Sequence, residues 1–279
     1  MGKIEDIILQ HDQRGMQQLA KYLNDNYCMD AAQALWQCKK GNILILTGFF
    51  VKTQGETDGP LGSIFLYKAL KTLGFSPIIV SDEYAASYFE GLPFILFTHN
   101  SQAEEIQENY QPVAIVSIER CGRATDGKYY NMRKNDISLQ TAPIDELVLR
   151  ASCLTIGIGD GGNEIGMGKL SCHMQHLDLI PSIVPCNYLI VASVSNWGSY
   201  GLIAALSMLL HKDLLPEEQD MGNYLKYIVT KGAVDGFSGE NKPCIDGFDL
   251  SVEQAIVKDL KRLITKWKRR FPAFYTWLL

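Results

Sequence analysis

Apolar positions along this chain fall into two spacings. Unbroken apolar runs at Asn42–Thr47 (NILILT), 77–80, 94–98, 113–118 and 153–158 have the pattern of strands buried on both faces of a parallel sheet. Between them, apolar residues recur every three or four positions. That spacing predicts helices at 60–73, 83–90, 102–109, 144–150, 164–177, 197–210, 217–230 and 252–269. Three short helices fill the first forty residues, the last at about 30–39. Pro60 at a first turn and Gly74 just past an end punctuate the helix between them. A further short strand is expected near 183–185. The polar stretch 119–140 is too long for a plain connector and reads as a functional loop. Repeated strand–helix alternation predicts an α/β fold of three layers, α/β/α, around a mainly parallel sheet. With no internal repeat or linker, one domain is expected over 1–279, its N-terminal helices (about 1–40) packed on the core.

Composition narrows the function classes. The 279 residues are 47% hydrophobic and 20% charged, an average globular balance with ample material for a core. A net charge of −5 gives no field for nucleic acid or an anionic membrane. The cluster Lys266, Lys268, Arg269 and Arg270 reads as the basic end of a C-terminal helix. Seven scattered cysteines form neither a zinc pattern nor a disulfide framework, which points to a reducing, cytoplasmic setting. The opening residues mix Lys3, Glu5 and Asp6 among apolar ones and do not form a signal peptide. The longest apolar run, 201–210, is far short of the ~20 residues of a membrane span. A soluble protein with a small-molecule ligand is expected; the sequence leaves the oligomeric state open.

Ligands of open parallel sheets bind beyond the carboxyl ends of the strands, which singles out four loops. The first, 47–62, carries Glu56 and Asp58 beside a helix start; two carboxylates there suit a divalent metal or an ammonium group, or Asp58 acts only as a helix cap. The second, 119–127, sets Glu119 beside Arg120 and Arg123, with Asn131 and Arg133 downstream. The third, GIGDGGNEIGMG at 157–168, places Asp160, Gly161, Gly162, Asn163 and Glu164 at a predicted helix start. Its carboxylates and amide oxygen are hard donors for Mg²⁺ or Mn²⁺, or else an N-cap and its capping-box partner. A charge where a pyrophosphate would sit argues against a dinucleotide fingerprint, so no nucleotide cofactor is expected. The fourth, 193–201, offers Ser195 and Asn196 as caps and Trp197 or Tyr200 as pocket walls. His173 and His176 are spaced to share a helix face, but a third metal ligand is missing from the pattern.

Five motifs, ETDGPLG, IER-x-GRA-x-DG-x-YYNMR, TAPIDEL, GIGDGGNEIGMG and NWGSYGL, resemble in this order the family of the C-terminal domain of D-glutamate cyclase. The resemblance runs from the N-terminal helices to at least Leu210. It implies an enzyme that converts D-glutamate to 5-oxo-D-proline with loss of water; the eukaryotic enzyme carries an additional N-terminal domain. Under that chemistry, Asp160 or Glu164 is the expected general base and Glu119 a further catalytic residue. Asp58, Asp160 and Glu164 are the expected metal ligands. Arg120 or Arg133 would fix a substrate carboxylate, with Asn131, Gly161, Gly162, Asn163 and Asn196 also at the substrate. Two other readings stay open: a metal-dependent hydrolase or phosphoryl-transfer enzyme, and a non-catalytic amino-acid binder.

Overall fold

The computed structural model describes residues 2–175 and 177–271. In chain order it contains α1 (Ile4–Ile8), α2 (Met16–Ala20), α3 (Tyr27–Gln37), β1 (Asn42–Thr47), β2 (Phe50–Val51), β3 (Gln54–Gly55), α4 (Pro60–Thr72), β4 (Ser76–Ser81) and α5 (Glu83–Ala86). These are followed by β5 (Phe94–Leu96), α6 (Gln102–Tyr110), β6 (Ala114–Ile118), α7 (Glu146–Leu149), β7 (Leu154–Gly159), β8 (Tyr188–Val191) and α8 (Ser195–Leu209). The last elements are α9 (Glu218–Thr230), β9 (Cys244–Ile245), β10 (Phe248–Asp249) and α10 (Leu250–Arg270).

Six strands pair in parallel in the order β5-β4-β1-β6-β7-β8. Side chains on a strand alternate between faces, and β1 divides the core accordingly. Ile43 and Ile45 join the cluster packed under α1, α3, α4 and α8. Leu44 and Leu46 face the other layer, with Ile106 of α6 and Leu147 of α7. This is the expected three-layer α/β/α arrangement. The N-terminal helices pack on the core through α8 and β8: Tyr27 Oη donates to the carbonyl of Val191 at 2.6 Å. No helix among the described residues is long and apolar enough to cross a membrane. The basic residues Lys268, Arg269 and Arg270 lie in the last turn of α10, as expected.

From β1 the chain builds outward through β4 to β5, then returns to lay β6 on the other side of β1. The reversal leaves a crevice beyond the carboxyl ends of β1 and β6, the standard ligand position in such sheets. Thr47 is in register with Ile118, and Ile118 with Ile158. Asp58, Glu119 and Asp160 therefore leave the same edge of the sheet.

Two expected elements are absent. The helix at 164–177 is replaced by a loop and a 3-10 turn at Gly168–His173; His176 lies outside the described residues. Gly162 and Gly166 have φ of 112° and 104°, far from helical values. The strand expected at 183–185 forms only isolated bridges from Pro185 to Gly166 and Met167. The sixth sheet strand is instead the apolar run β8. His173 stacks on Tyr22, ring centroids 3.6 Å apart.

Candidate active site

The loop GIGDGG wraps around a carboxylate of its own. Glu164 accepts backbone N–H bonds from Asp160 (3.2 Å), Gly161 (2.6 Å) and Gly162 (2.7 Å). Three convergent amides form an anion nest, and glycine is what allows the wrap. A β-carbon on Gly161 would lie 2.8 Å from Glu164 Oε1, and one on Gly159 2.9 Å from Oε2. Both oxygens of Glu164 accept amides that shape the loop, and although Glu164 lines the cavity it lies outside the close set formed by Asp58, Glu119 and Asp160. Gly162 turns away from the crevice toward Met174 and Leu179.

Shaped this way, the loop presents Asp160 to a cavity of about 300 Å³ at the sheet's carboxyl edge. Asp160, Glu119, Glu56, Asp246 and Arg14 face its floor; Asn131, Arg133, Gly161 and Asn163 also line it. Asp58 lies just behind. Oxygens of Asp58, Glu119 and Asp160 all fall within 4.8 Å of one another, and all three residues are buried. That donor set can hold a divalent cation, with Glu119 in the position expected of Glu164.

Each member is fixed by its element. Glu119 follows β6 with a left-handed backbone (φ 45°), a costly conformation for a residue with a β-carbon. It aims the carboxylate inward, where Ser195 Oγ donates to it at 2.6 Å. Gly59 makes room: a β-carbon there would lie 2.8 Å from that of Glu119. Asp58 caps α8 from outside, accepting the amides of Ser195 (2.9 Å) and Asn196 (2.8 Å). Asn196 reciprocates, its Oδ1 accepting from Gly59 (3.0 Å) and Gly62 (2.6 Å) at the head of α4. Asn196 is therefore a structural cap, not the substrate contact expected of it.

Arg120 is also corrected. It is buried and directed away from Glu119. Its guanidinium donates to Asp82 (2.5 Å), the Gly48 carbonyl (2.7 Å) and the Ala142 carbonyl (2.6 Å). Successive residues leaving a strand point to opposite sides, so only one of this pair can reach the cavity. Arg123 is committed to Asp145 and Glu146. Arg133 stays at the mouth, donating to the Phe237 carbonyl at 2.9 Å. Asn131 Oδ1 holds the 131–135 turn that carries Arg133 by accepting the Arg133 and Asn135 amides, and Asn163 Nδ2 donates to the Tyr130 carbonyl. Trp197 and Tyr200, expected as pocket walls, point into the core and donate to Glu253.

The residues missing from the sequence reading are Arg14, Asp246 and Gly236. Arg14 Nη1 lies 2.6 Å from Asp160 and 2.9 Å from Asp246. Its loop is held by Asp12, which accepts amides from Arg14, Met16 and Gln17. Asp246 stands with Gly247 in the two-residue turn of the β9–β10 hairpin, both at positive φ (50° and 81°). Asp-Gly between strand residues is the signal for such a turn, so IDGF marked it. Gly236 lies under two carboxylates: its β-carbon would meet Glu56 Oε2 at 1.9 Å and Asp246 Oδ1 at 2.6 Å. Nothing in the sequence pattern marks Arg14.

Like charges in a dry site resist ionisation. Burial, then repulsion from Asp246, pushes Asp58 up to about 7, while the amides of Asn196 and Ser195 oppose the rise. Burial raises Glu119 well above the usual range, with Glu164, Glu56 and Asp58 adding to it. Glu56 rises through burial and the repulsion of Asp246 and Asp58. Asp160 rises through burial, held back by Arg14. For Arg14 burial works against the charge, but Asp160, Asp246 and Glu119 hold it firmly protonated. The floor gathers protons or cations.

The human protein D-glutamate cyclase, mitochondrial, is 35% identical over 203 residues, covering 60% of this chain and 33% of that protein. The chain thus spans about a third of that relative's length. Among solved structures, an exopolyphosphatase-related protein from Bacteroides fragilis matches 88% of this chain and 61% of its own at TM-score 0.47 and 11% identity. RecJ from Thermus thermophilus, solved with Mn²⁺, matches 88% and 38% at TM-score 0.39 and 14% identity. Scores this low give neither likeness weight for chemistry. The family described as D-glutamate cyclase-like, C-terminal, matches residues 4–261, nearly the whole described chain, and this protein belongs to that family.

Proposed function

We propose that the cavity cyclises D-glutamate to 5-oxo-D-proline with loss of water. The observation that carries this reading is the convergence of Asp58, Glu119 and Asp160 within 4.8 Å, buried, in a chain of this family. In the reaction the amine nitrogen bonds to the side-chain carboxyl carbon, and one carbon–oxygen bond of that carboxyl breaks. Two protons leave the nitrogen and two arrive on the departing oxygen, so the site finishes in its starting protonation state. Chemistry of this kind needs one carboxyl able to accept a proton and another that already holds one. Arg14, bonded to Asp160, favours its charged form and suits it to take protons from the ammonium. Glu119, pushed up by burial and its acidic neighbours, is suited to deliver them. Holding the amine against the carboxyl in a small cavity removes much of the entropic barrier.

With Glu119 ionised, the buried, hard-oxygen set of Asp58, Glu119 and Asp160 would fit Mg²⁺ or Mn²⁺, so that the cation and the Glu119 proton are alternative occupants of the site. When bound there, such an ion would neutralise the substrate carboxylate and polarise its carbonyl. A phosphoryl-transfer reading is disfavoured because the backbone amides suited to a phosphate are already engaged. Asp58 takes those of α8, Asn196 those of α4, and Glu164 those of the glycine loop.

Incubation with D-glutamate, with and without Mn²⁺, followed by mass spectrometry for the dehydrated product is the test. Turnover that vanishes in Asp160→Asn and Glu119→Gln while the fold survives supports the assignment. Undiminished turnover in both variants, or no product from the wild type in either condition, refutes it.

A further inference from the structure

The acidic floor has a basic mouth. Lys52 sits in the turn between β2 and β3, and Arg133 in the long loop after β6, so they approach the opening from separate parts of the chain; both line the cavity. They meet on one short stretch of backbone. Lys52 Nζ donates to the Ser238 carbonyl at 2.5 Å and Arg133 Nη2 to the Phe237 carbonyl at 2.9 Å. Consecutive Cα atoms are ~3.8 Å apart, which confines both cationic heads to the same section of rim. Among the described residues, neither has a carboxylate within ion-pairing distance, although the chain carries 31 acids against 26 basic residues.

The backbone they hold is a built structure. Asp235, fully buried, accepts Ser238 N–H and Oγ–H with one oxygen and Gly247 N–H with the other. That ties the 235–239 turn to the hairpin bearing Asp246. Gly239 lets the Lys52 stem lie flat on it: a β-carbon there would sit 2.5 Å from Lys52 Cδ and Cε. The stem is thereby directed along the rim.

Two cations at the mouth, held only by neutral carbonyls, face a floor that favours an ammonium group. We propose that Lys52 and Arg133 form a carboxylate clamp that selects substrates whose amine-bearing carbon also carries a carboxylate. The proposal rests on the cyclase reading above. The amine and the reacting carboxyl belong at the floor, where protons are exchanged; the remaining carboxylate projects from the forming ring toward the mouth. A carboxylate offers these cations a full negative charge where a carbonyl offers a partial one, and it can accept the Arg133 guanidinium bidentately. The exchange is favourable because the exposed carbonyls are then free to bond water.

The test compares D-glutamate with 4-aminobutyrate, the same carbon chain without the second carboxylate, in wild type, Lys52→Met, Arg133→Met and the double variant. The clamp predicts that each single variant raises KM for D-glutamate by ~10-fold or more, as for loss of a hydrogen bond to a charged group. It further predicts nearly constant kcat and unchanged handling of 4-aminobutyrate, with Arg133→Lys partly restoring KM. An unchanged KM, or equal losses on both substrates, overturns it. Calorimetric binding of D-glutamate separates the two ideas. Binding without turnover, weakened ~10-fold in the variants, keeps the clamp and removes the cyclase reading. Turnover with unweakened binding in the variants keeps the cyclase and removes the clamp, and no binding by the wild type removes both.

Discussion

Glu253 gives a sharp prediction about how α8, whose first turn supports the site, is anchored. This carboxyl on α10 is 1% exposed and accepts hydrogen bonds from Trp197 Nε1 (2.5 Å) and Tyr200 Oη (2.9 Å). Burial, with repulsion from Asp58, pushes it up to about 8, the two hydrogen bonds working against the rise. The unfolded chain releases this proton near 4.5, whereas the folded chain keeps it until about 8. Between those values the folded state binds more protons, so stability falls as pH rises and levels off above the folded value. Across the whole interval the loss is about 4–5 kcal/mol at 1.36 kcal/mol per pH unit, of which roughly 2–3 kcal/mol falls between about pH 6 and 9. Glu253→Gln replaces the carboxyl with a neutral isostere that can still accept from Trp197 and donate to Tyr200. Thermal denaturation of both proteins at the two pH values, followed by tryptophan fluorescence, reads the difference. The wild type should lose roughly 3–5 °C more than the variant on going to alkaline pH. Identical pH profiles would refute the argument that Glu253 is buried with its proton on.

Three further outcomes are expected. Gly236→Ala brings a methyl to 1.9 Å from Glu56 Oε2, so the carboxylates must shift by an ångström or more; turnover should fall ~100-fold while overpacking costs only about 1–3 kcal/mol, and full activity would contradict the placement of Glu56 and Asp246. Arg120→Met strands the buried Asp82 carboxylate and should cost about 3–5 kcal/mol in chemical denaturation; an intact stability with a raised KM would instead return Arg120 to the substrate. Mn²⁺ at about a hundred times its Kd should stabilise the wild type by about 2.7 kcal/mol, seen as a higher Tm, and Asp58→Asn should lose most of that gain; an equal shift in both would place the ion elsewhere.

The sheet and most helices were legible because their signals are local. NILILT, VAIVSI and CLTIGI are buried on both faces and announce it by composition; Pro60 and Gly74 bracket α4. The loop GIGDGGNEIGMG was legible as an unusual backbone but not as the shape it takes. Its glycines read equally well as a helix entry or as a nest, and only the fold of Glu164 back onto three amides decides between them. Arg120 looked like a substrate residue because it neighbours Glu119; the side of the sheet edge it takes depends on Asp82, 38 positions away. Arg14 was invisible because its partners, Asp160 and Asp246, are far along the chain and nothing around it in sequence is distinctive.

That distance has a consequence for how the molecule comes into being. Arg14 and Asp160 are 146 positions apart, Asp58 and Asn196 138, Ser195 and Glu119 76. A cavity stitched from such remote segments has no partial form, and long-range closures are the slow ones in folding. The carboxylates are brought into mutual repulsion only once the layers beneath them have joined. Turnover of the proposed kind would therefore report on the finished molecule: during refolding, it is expected to follow the burial of Trp197 and never to precede it.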